Sequence, residues 1–565
     1  MAVEQLEIVA VVAVLLIVAA SYLAPKFGIA TPIALVVTGL GLSLLPGMPA
    51  IAPHPELILA GVLPPLLYSA AVHMPVVDFR RELRTIGALS VVLVLVSAFG
   101  TGALLWWIFP ELGFAAAVAV GAVISPPDAV AATSIGKRLG LPPRLLTILE
   151  GEGLVNDATA LVLLRTAVAA AAGSFSFWRA AGDFAYAVVV AVVIGAAVGA
   201  VTVAIRARLA QPALTTAISF VVPFLAFLPT EAAGASGVLA VVAAGLVTGA
   251  SGVRRLSVQD RTSERLNWLT IQLLLENGVF LLMGLQLRTL VVDVRGAGLS
   301  VADPIWIGLL MVVALGAIRT AFVAPVILAE RRRRAGHEER ARRYQAVLDQ
   351  VSADERARSS TRAARLQRWL RRHGADARFY AGNGLGGRGG LVIAWSGMRG
   401  VVTLAAAQSL PVDFPYRSQL ILLAFVVALV TLVGQGGTLP LLIRLLGIRG
   451  TDEEKAQREL TLLLDELQET AVAQVLDNPD LRRRDGKPFD GTVLEKVRAR
   501  AAHRAAHAAG ESDPVAAQLP ELVQLVHEVQ QDALNEARSL GAYDSRTIAR
   551  AQLMLDAGAT RGDVS

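Results

Sequence analysis

Four short polar stretches interrupt a chain that is otherwise strongly apolar. "SPPDAVAATS" places Pro126, Pro127 and Asp128 side by side with Thr133 just beyond, and "LEGEGLVNDATALV" holds Glu152, Asn156 and Asp157. "LLENGVFLLMG" carries Glu276 and Asn277, and "AWSGMRGVVTLAA" carries Arg399 between Gly397 and Gly400. The chain has no cysteine, which rules out disulfides, thiol catalysis and zinc–thiolate sites. The groups on offer are therefore oxygens, and oxygens suit a proton or a hard cation such as Na⁺. A carboxylate taken out of water holds a proton unless a cation replaces it. Asp157 can bind either, but not both well. Carried between two sides of a membrane, that competition is an exchange reaction. The plainer use of Asp157 is to pair with Arg399 and pin two helices together. On a helix, Glu152 and Asn156 lie one turn apart, and Gly153 lies one turn before Asp157, leaving room for Pro127 and Asp128 to approach.

The elements that position these residues follow from composition. Of 565 residues, 54% are hydrophobic and 17% charged, and the mean hydropathy is +0.57. Apolar runs of about 18 residues or more, enough to cross a bilayer core of roughly 30 Å, recur along the chain. The reading is an all-α polytopic membrane protein, because helices satisfy their own backbone in lipid. Thirteen spans are expected, at roughly 5–24, 30–46, 56–75, 85–109, 112–136, 146–172, 182–206, 213–229, 233–250, 268–290, 303–330, 390–410 and 418–446. An ionisable residue at that depth is functional by default. Pro126-Pro127 must break the fifth span, and Gly397 and Gly400 are a weaker break in the twelfth. With the seventh span set aside, six lie on each side, and both breaks fall in the fifth span of a half. Interrupted helices at matching positions point to a transporter built from inverted six-helix repeats. Asp128 and Arg399 then supply one charge of each sign to the half-helix dipoles.

The net charge of +6 reads as basic cytoplasmic loops rather than as a nucleic-acid footprint. Lys26, Arg80, Arg81, Arg84, Lys137, Arg138, Arg144, Arg206 and Arg208 fall in alternate loops, together with the Arg-rich segment 331–389. This predicts an outside N-terminus and a cytoplasmic C-terminus in a plasma (inner) membrane. The membrane domain spans 1–450 and includes loop 331–389, whose middle reads as a basic helix and whose "GNGLGGRGG" end reads as a hinge. The sharper use of that loop is contact with anionic lipid headgroups. The 451–565 tail has apolar stripes at helical spacing and is expected to be a helical, regulatory cytoplasmic domain. His503, His507 and His527 lack ligand spacing and read as surface residues.

Together the four stretches resemble the monovalent cation:proton antiporter-1 family, the NhaP-like sodium/proton exchangers of bacteria, over roughly residues 5–446. The resemblance implies a thirteen-span inverted repeat with a dimerisation domain and an ion-translocating core. It implies a homodimer that exchanges Na⁺, with K⁺ or Li⁺ as rivals, for H⁺ in pH and sodium homeostasis. No cofactor or catalytic residue is implied. By motif, Asp157 resembles the ion-binding aspartate, Asn156 its neighbour, Asp128 the aspartate at the helix crossing, and Glu152 with Arg399 a buried ion pair. An Asn-Asp pair is associated with electroneutral exchange. Thr133, Glu276 and Asn277 are auxiliary candidates. The chain departs from the family pattern where Thr-Asp-Pro becomes Pro127-Asp128-Ala129 and Gly-Glu-Ser becomes Gly151-Glu152-Gly153, which removes two hydroxyls beside the site. Other classes fit less well. A K⁺/H⁺ exchanger would share the fold. An intramembrane aspartyl protease could use Asp128 and Asp157 as a dyad but lacks the glycine-rich turn. A channel needs a filter loop that is not seen.

Overall fold

The computed structural model describes residues 3–46, 53–173, 177–209, 211–353, 361–382, 385–448, 453–478, 481–483, 487–491, 493–495 and 518–562. The chain divides into two compact units, residues 1–331 with 385–450 and residues 332–384 with 451–565.

The first unit is helical throughout its described residues. Its helices are α1 (Val3–Leu23) and α2 (Thr31–Ser43), then α3 (Leu57–His73) and α4 (Val76–Ile108), each containing a π-helical turn. α5 (Phe114–Ile124) and α6 (Ala129–Arg138) follow as two pieces, then the 29-residue α7 (Pro143–Ala171). The chain continues through α8 (Phe177–Arg206), α9 (Pro212–Ala232), α10 (Gly237–Arg255), α11 (Val258–Leu285) and the short α12 (Leu287–Gly296). α13 (Ala302–Ala353) is followed in the second unit by α14 (Thr361–Gly382). Back in the first unit, α15 (Gly387–Trp395) and α16 (Val401–Gln408) form a second interrupted pair, and α17 (Arg417–Leu445) ends the unit.

Among the described residues, nine helices are long and apolar enough to cross a membrane, and three shorter ones are apolar as well. The interrupted pair α15–α16 makes thirteen passages, at the positions read from the sequence. The fifth passage is broken between Ile124 and Ala129. The twelfth is broken between Trp395 and Val401. This is the matched interruption that the inverted repeat requires. Proline at the first turn starts α2, α7 and α9, where its missing N–H costs nothing.

Two packed groups of helices frame the site. In one, α8 packs on α10, and α10 on α3 and α9; in the other, α4, α5 and α7 pack in sequence, and α2 packs on α11 within the same apolar core. Small residues permit the closest approaches. Gly195 and Gly199, one turn apart on α8, face Ala240 and Ala244 of α10, and a Cβ at Gly195 would fall on the Ala240 carbonyl. Helices in lipid gain little from burying one apolar surface against another, so such close packing carries their association.

The second unit contains α18 (Glu453–Ala471), α19 (Gln518–Leu540) and α20 (Ser545–Gly562). Leu460, Leu463, Leu467, Leu534 and Ile548 are buried between them. The two apolar stripes of the tail thus become α18 and α19. The Arg-rich segment supplies α14, whose Arg365, Arg368, Arg371 and Arg372 are exposed. Its residues 332–384 cluster with the tail rather than with the membrane helices. His503 and His507 lie outside the described residues.

Gly195→Ala should destabilise the protein by about 1–3 kcal/mol through overpacking against α10. Gly182→Ala, on the same helix with open space around it, should be neutral or slightly stabilising. Thermal unfolding midpoints in detergent check both, and equal midpoints for the two variants would contradict the packing assignment.

Candidate functional site

The two breaks cross and are stitched together by backbone. The Asp128 amide donates to the Met398 carbonyl at 2.6 Å. Asp128 is the N-cap of α6, its Oδ1 accepting from the Val130 amide at 2.8 Å. Its other carboxylate oxygen lies against Gly400, the N-cap of α16, where any Cβ would collide with it. One carboxylate therefore serves the positive ends of two half-helices. Arg399 serves the negative ends. Its Nε donates to the Ile124 carbonyl at 3.0 Å and its Nη2 to the Ser125 carbonyl at 3.3 Å, at the end of α5. Its Nη1 donates to the Gly397 carbonyl just past α15. Its amide is held by Thr431 Oγ1 of α17 at 3.0 Å. Pro126, Pro127, Gly397 and Gly400 thus stand at the breaks expected of them.

Asp157 comes to this crossing on α7. Asn156, fully buried beside it, donates through Nδ2 to the Pro127 carbonyl at 2.6 Å. The Asn156 Oδ1 is buried with no donor. Asp157 itself is half-buried, its electrostatic neighbour is Asp128, and among the described residues no donor reaches its carboxylate. A crevice of about 10 Å³ lined by Val123, Pro126, Leu161, Val402 and Ala406 ends on it, room for about one water. The result is a cluster of acceptor oxygens with no cation of its own. Chemically it calls for a proton or a small cation.

The core ion pair differs from the expectation. Glu152 pairs with Arg319 of α13, not with Arg399. Arg319 Nη1 and Nη2 donate to Glu152 Oε1 and Oε2 at 2.6 and 2.8 Å, a bidentate geometry, and its Nε donates to the Ile393 carbonyl at 2.9 Å. Both residues are buried. The reason is competition: the Arg399 guanidinium is spent on carbonyls that the helix breaks leave without intrahelical donors, and Arg319 reaches the carboxylate with both arms. The signal available in the sequence was a lone arginine in the apolar run "LGAIRTAFV".

The auxiliary candidates scatter. Thr133 is buried but turns onto its own helix, its Oγ1 donating to the Val130 carbonyl at 3.2 Å. Asn277 donates to the Leu273 carbonyl, again within its own helix. Glu276 accepts from Gln272 Nε2 at 3.3 Å and has Asp128 and Lys137 within electrostatic range. Gly153 packs against Ala129, where a Cβ would come within 2.5 Å of the Ala129 methyl. The two places where the chain departs from the family pattern are thus in contact, and the smaller residue at each accommodates the other. Sequence reading also missed the buried cluster of Arg144 with Glu82 and Glu330, both at 2.7 Å, and the Lys137–Glu150 pair at 2.7 Å.

The chain and its fold have counterparts among known proteins. The sodium/hydrogen exchanger transmembrane family matches residues 11–445. The chain belongs to the sodium/hydrogen exchanger family. An uncharacterised Na⁺/H⁺ exchanger of Mycobacterium tuberculosis is 29% identical over 447 residues, covering 77% of this chain and 74% of the relative. The Na⁺/H⁺ antiporter ApNhaP of Aphanothece halophytica is 28% identical, over 75% of this chain and 70% of its own. The sodium, potassium, lithium and rubidium/H⁺ antiporter of Bacillus subtilis is also 28% identical, over 68% of this chain and 54% of its own. The structure of the sodium proton antiporter MjNhaP1 of Methanocaldococcus jannaschii at pH 8 superposes with a TM-score of 0.54 at 15% identity, covering 79% of this exchanger and all of that chain. The family match makes this exchanger a multi-pass membrane protein, and the likeness to MjNhaP1 shows a shared fold.

A double-mutant cycle separates the two candidate pairings. Arg319→Met alone leaves the Glu152 charge buried and unpaired and should cost about 3–5 kcal/mol. Arg319→Met with Glu152→Gln should recover much of that loss, whereas Arg399→Met with Glu152→Gln should be close to additive. Unfolding midpoints of the six proteins give the coupling energies, and strong Glu152–Arg399 coupling would overturn the assignment.

Proposed function

We propose that this protein exchanges a cytoplasmic monovalent cation, Na⁺ first, for an external proton by alternating access, with Asp157 as the group that changes occupant. The observation that carries the reading is a half-buried carboxylate that no donor among the described residues reaches, beside a second carboxylate and the orphaned Asn156 Oδ1. Asp157 holds the proton on one leg of the cycle and the cation on the other. Asn156 ties α7 to the break through the Pro127 carbonyl and offers its free oxygen to the cation. Asp128 serves as the shared helix cap. That role speaks against a protease dyad, because its carboxylate is already committed to Val130 and packed on Gly400.

One exchangeable carboxylate supports one-for-one exchange. Such a cycle moves no net charge, so a membrane potential worth about 2.3 kcal/mol per charge per 100 mV leaves it unaffected. K⁺/H⁺ exchange is the second reading. It is favoured by the loss of the two hydroxyls at positions 127 and 153, which leaves carbonyls and water as the remaining neutral ligands, and by the broad ion range in the name of the Bacillus subtilis relative. The one-sided distribution of Lys and Arg supports a plasma-membrane topology with the N-terminus outside and the C-terminus cytoplasmic. The apolar outer faces of α1 and α8, among them Val11, Leu15, Val189 and Val193, suit lipid and a second copy of the chain in a homodimer. Pairing through these faces, pH and sodium homeostasis, and regulation by the second unit complete the reading.

In sealed vesicles with a pH-sensitive dye, Na⁺, K⁺ and Li⁺ added in turn should each report exchange according to selectivity. Asp157→Asn should reduce it at least a hundredfold. An imposed potential of 100 mV should leave the wild-type rate unchanged. Undiminished exchange in Asp157→Asn would move the site elsewhere, and a rate that follows the potential would end the one-for-one assignment.

A further inference from the structure

The same face of α7 that carries Asp157 carries Leu161, Leu164, Arg165 and Val168 toward the Ala171 end. Arg165 lies eight residues on, about 12 Å along the helix. There α7 lines a vestibule of about 280 Å³ together with Leu59, Phe227, Glu231 and Leu410. Leu161 and Leu164 also line the crevice that ends on Asp157. The two leucines are therefore the partition between the vestibule and the carboxylate. On this side the path to Asp157 narrows from 280 to about 10 Å³. Across the vestibule, Arg165 Nη2 donates to Glu231 Oε2 at 2.6 Å, joining α7 to α9. The other oxygen, Glu231 Oε1, accepts from the Gly237 amide at 3.0 Å in the first turn of α10.

We propose that Arg165 and Glu231 form the outer gate of the exchanger, a releasable ion pair that holds α7 against α9 while this side is shut. The proposal rests on the exchange reading and on the topology argued above, which puts the vestibule on the extracellular face. In the shut state the guanidinium occupies the carboxylate that an external cation would meet first. When α7 moves away from α9, Glu231 stays in place, anchored by its bond to Gly237, and presents a free negative charge at the mouth. Arg165 leaves with α7, so the positive charge is withdrawn from the path as it opens. The pair is built to be broken. The Arg165 side chain is 60% exposed and that of Glu231 is 24% exposed. A pair of this kind biases a two-state equilibrium by no more than about fivefold. A buried pair such as Glu152–Arg319 would lock the carrier instead.

The absence of native cysteine makes the test direct. A single reporter, Leu164→Cys, is placed at the partition, and its labelling by a membrane-impermeant maleimide is timed from the outer face in sealed cells. Labelling should be slow with the pair intact and about three- to fivefold faster in Glu231→Gln or Arg165→Gln. Glutamine at 231 retains an oxygen for the Gly237 amide, so the capping bond survives. The charge reversal Arg165→Glu with Glu231→Arg should return the rate toward that of the parent, whereas either single reversal should stay fast. A merely structural pair would change unfolding midpoints without changing labelling, so midpoints are recorded for every variant. Labelling of both glutamine variants within 1.5-fold of the parent, or no recovery in the double reversal, overturns the gate. Labelling only from the inner face overturns its outer assignment. Exchange is measured on the same proteins. Unchanged labelling with intact exchange defeats the gate alone, whereas altered labelling in a parent that exchanges no cation defeats the exchange reading and leaves the pair as a conformational latch.

Discussion

The structure depends on the stitching of two broken helices at their crossing. Breaking a helix inside a membrane frees backbone donors and acceptors that lipid cannot satisfy. Here two breaks face each other, and two side chains deal with most of what they free. Asp128 stands at the positive ends of α6 and α16, and Arg399 at the negative ends of α5 and α15. A single backbone bond from Asp128 to Met398 fixes the register. Because the Arg399 guanidinium is consumed by helix ends, it is not available to neutralise Asp157, and Asp128 carries the same sign of charge. The crossing therefore produces, as a by-product of its own stability, an uncompensated carboxylate at its edge.

That arrangement sorts the buried charges by task. Glu152 and Arg319 satisfy each other in a bidentate pair and tie α7 to α13, while the Arg319 Nε also holds the end of α15. Arg144 does the same at the start of α7 with Glu82 and Glu330. These are fixed joints, costly to break once buried. Asp157 lies beyond both of them along α7, a helix held by buried charges toward its start and, past its midpoint, by the solvent-exposed pair of Arg165 with Glu231. A carrier needs both kinds of attachment. The core must move without coming apart, and its ion site must be exposed to one side at a time.

Glycine and proline set the geometry in which this is possible. Gly400 allows the Asp128 carboxylate to lie on the start of α16, and Gly153 allows α7 to press on Ala129. Elsewhere, Gly195 and Gly199 let α8 and α10 meet backbone to backbone. These contacts leave no space for even a methyl group. They explain how polar backbone at membrane depth can pack closely enough to be satisfied by its neighbours.

Much of this was legible in the chain itself. Apolar runs of bilayer length can only be spanning helices, so the passages and their order follow from hydropathy. Pro126-Pro127 and the Gly397–Gly400 spacing mark the breaks, because neither can continue a helix unaided. Asp128, Asp157 and Arg399 stand out because a charge in lipid must have a purpose. The partners of those charges were not legible. Glu152 pairs with Arg319, 167 residues away, and Arg399 turns to carbonyl groups, which every residue possesses and no motif can mark. Thr133 and Asn277 look like ligands in the sequence and turn back onto their own helices, whereas Arg165 and Glu231 belong to none of the four polar stretches and meet across a vestibule. Residue type and spacing determine which groups can ionise and where a helix must stop. Which ionised groups meet is decided by how helices pack, and only the tertiary structure contains that.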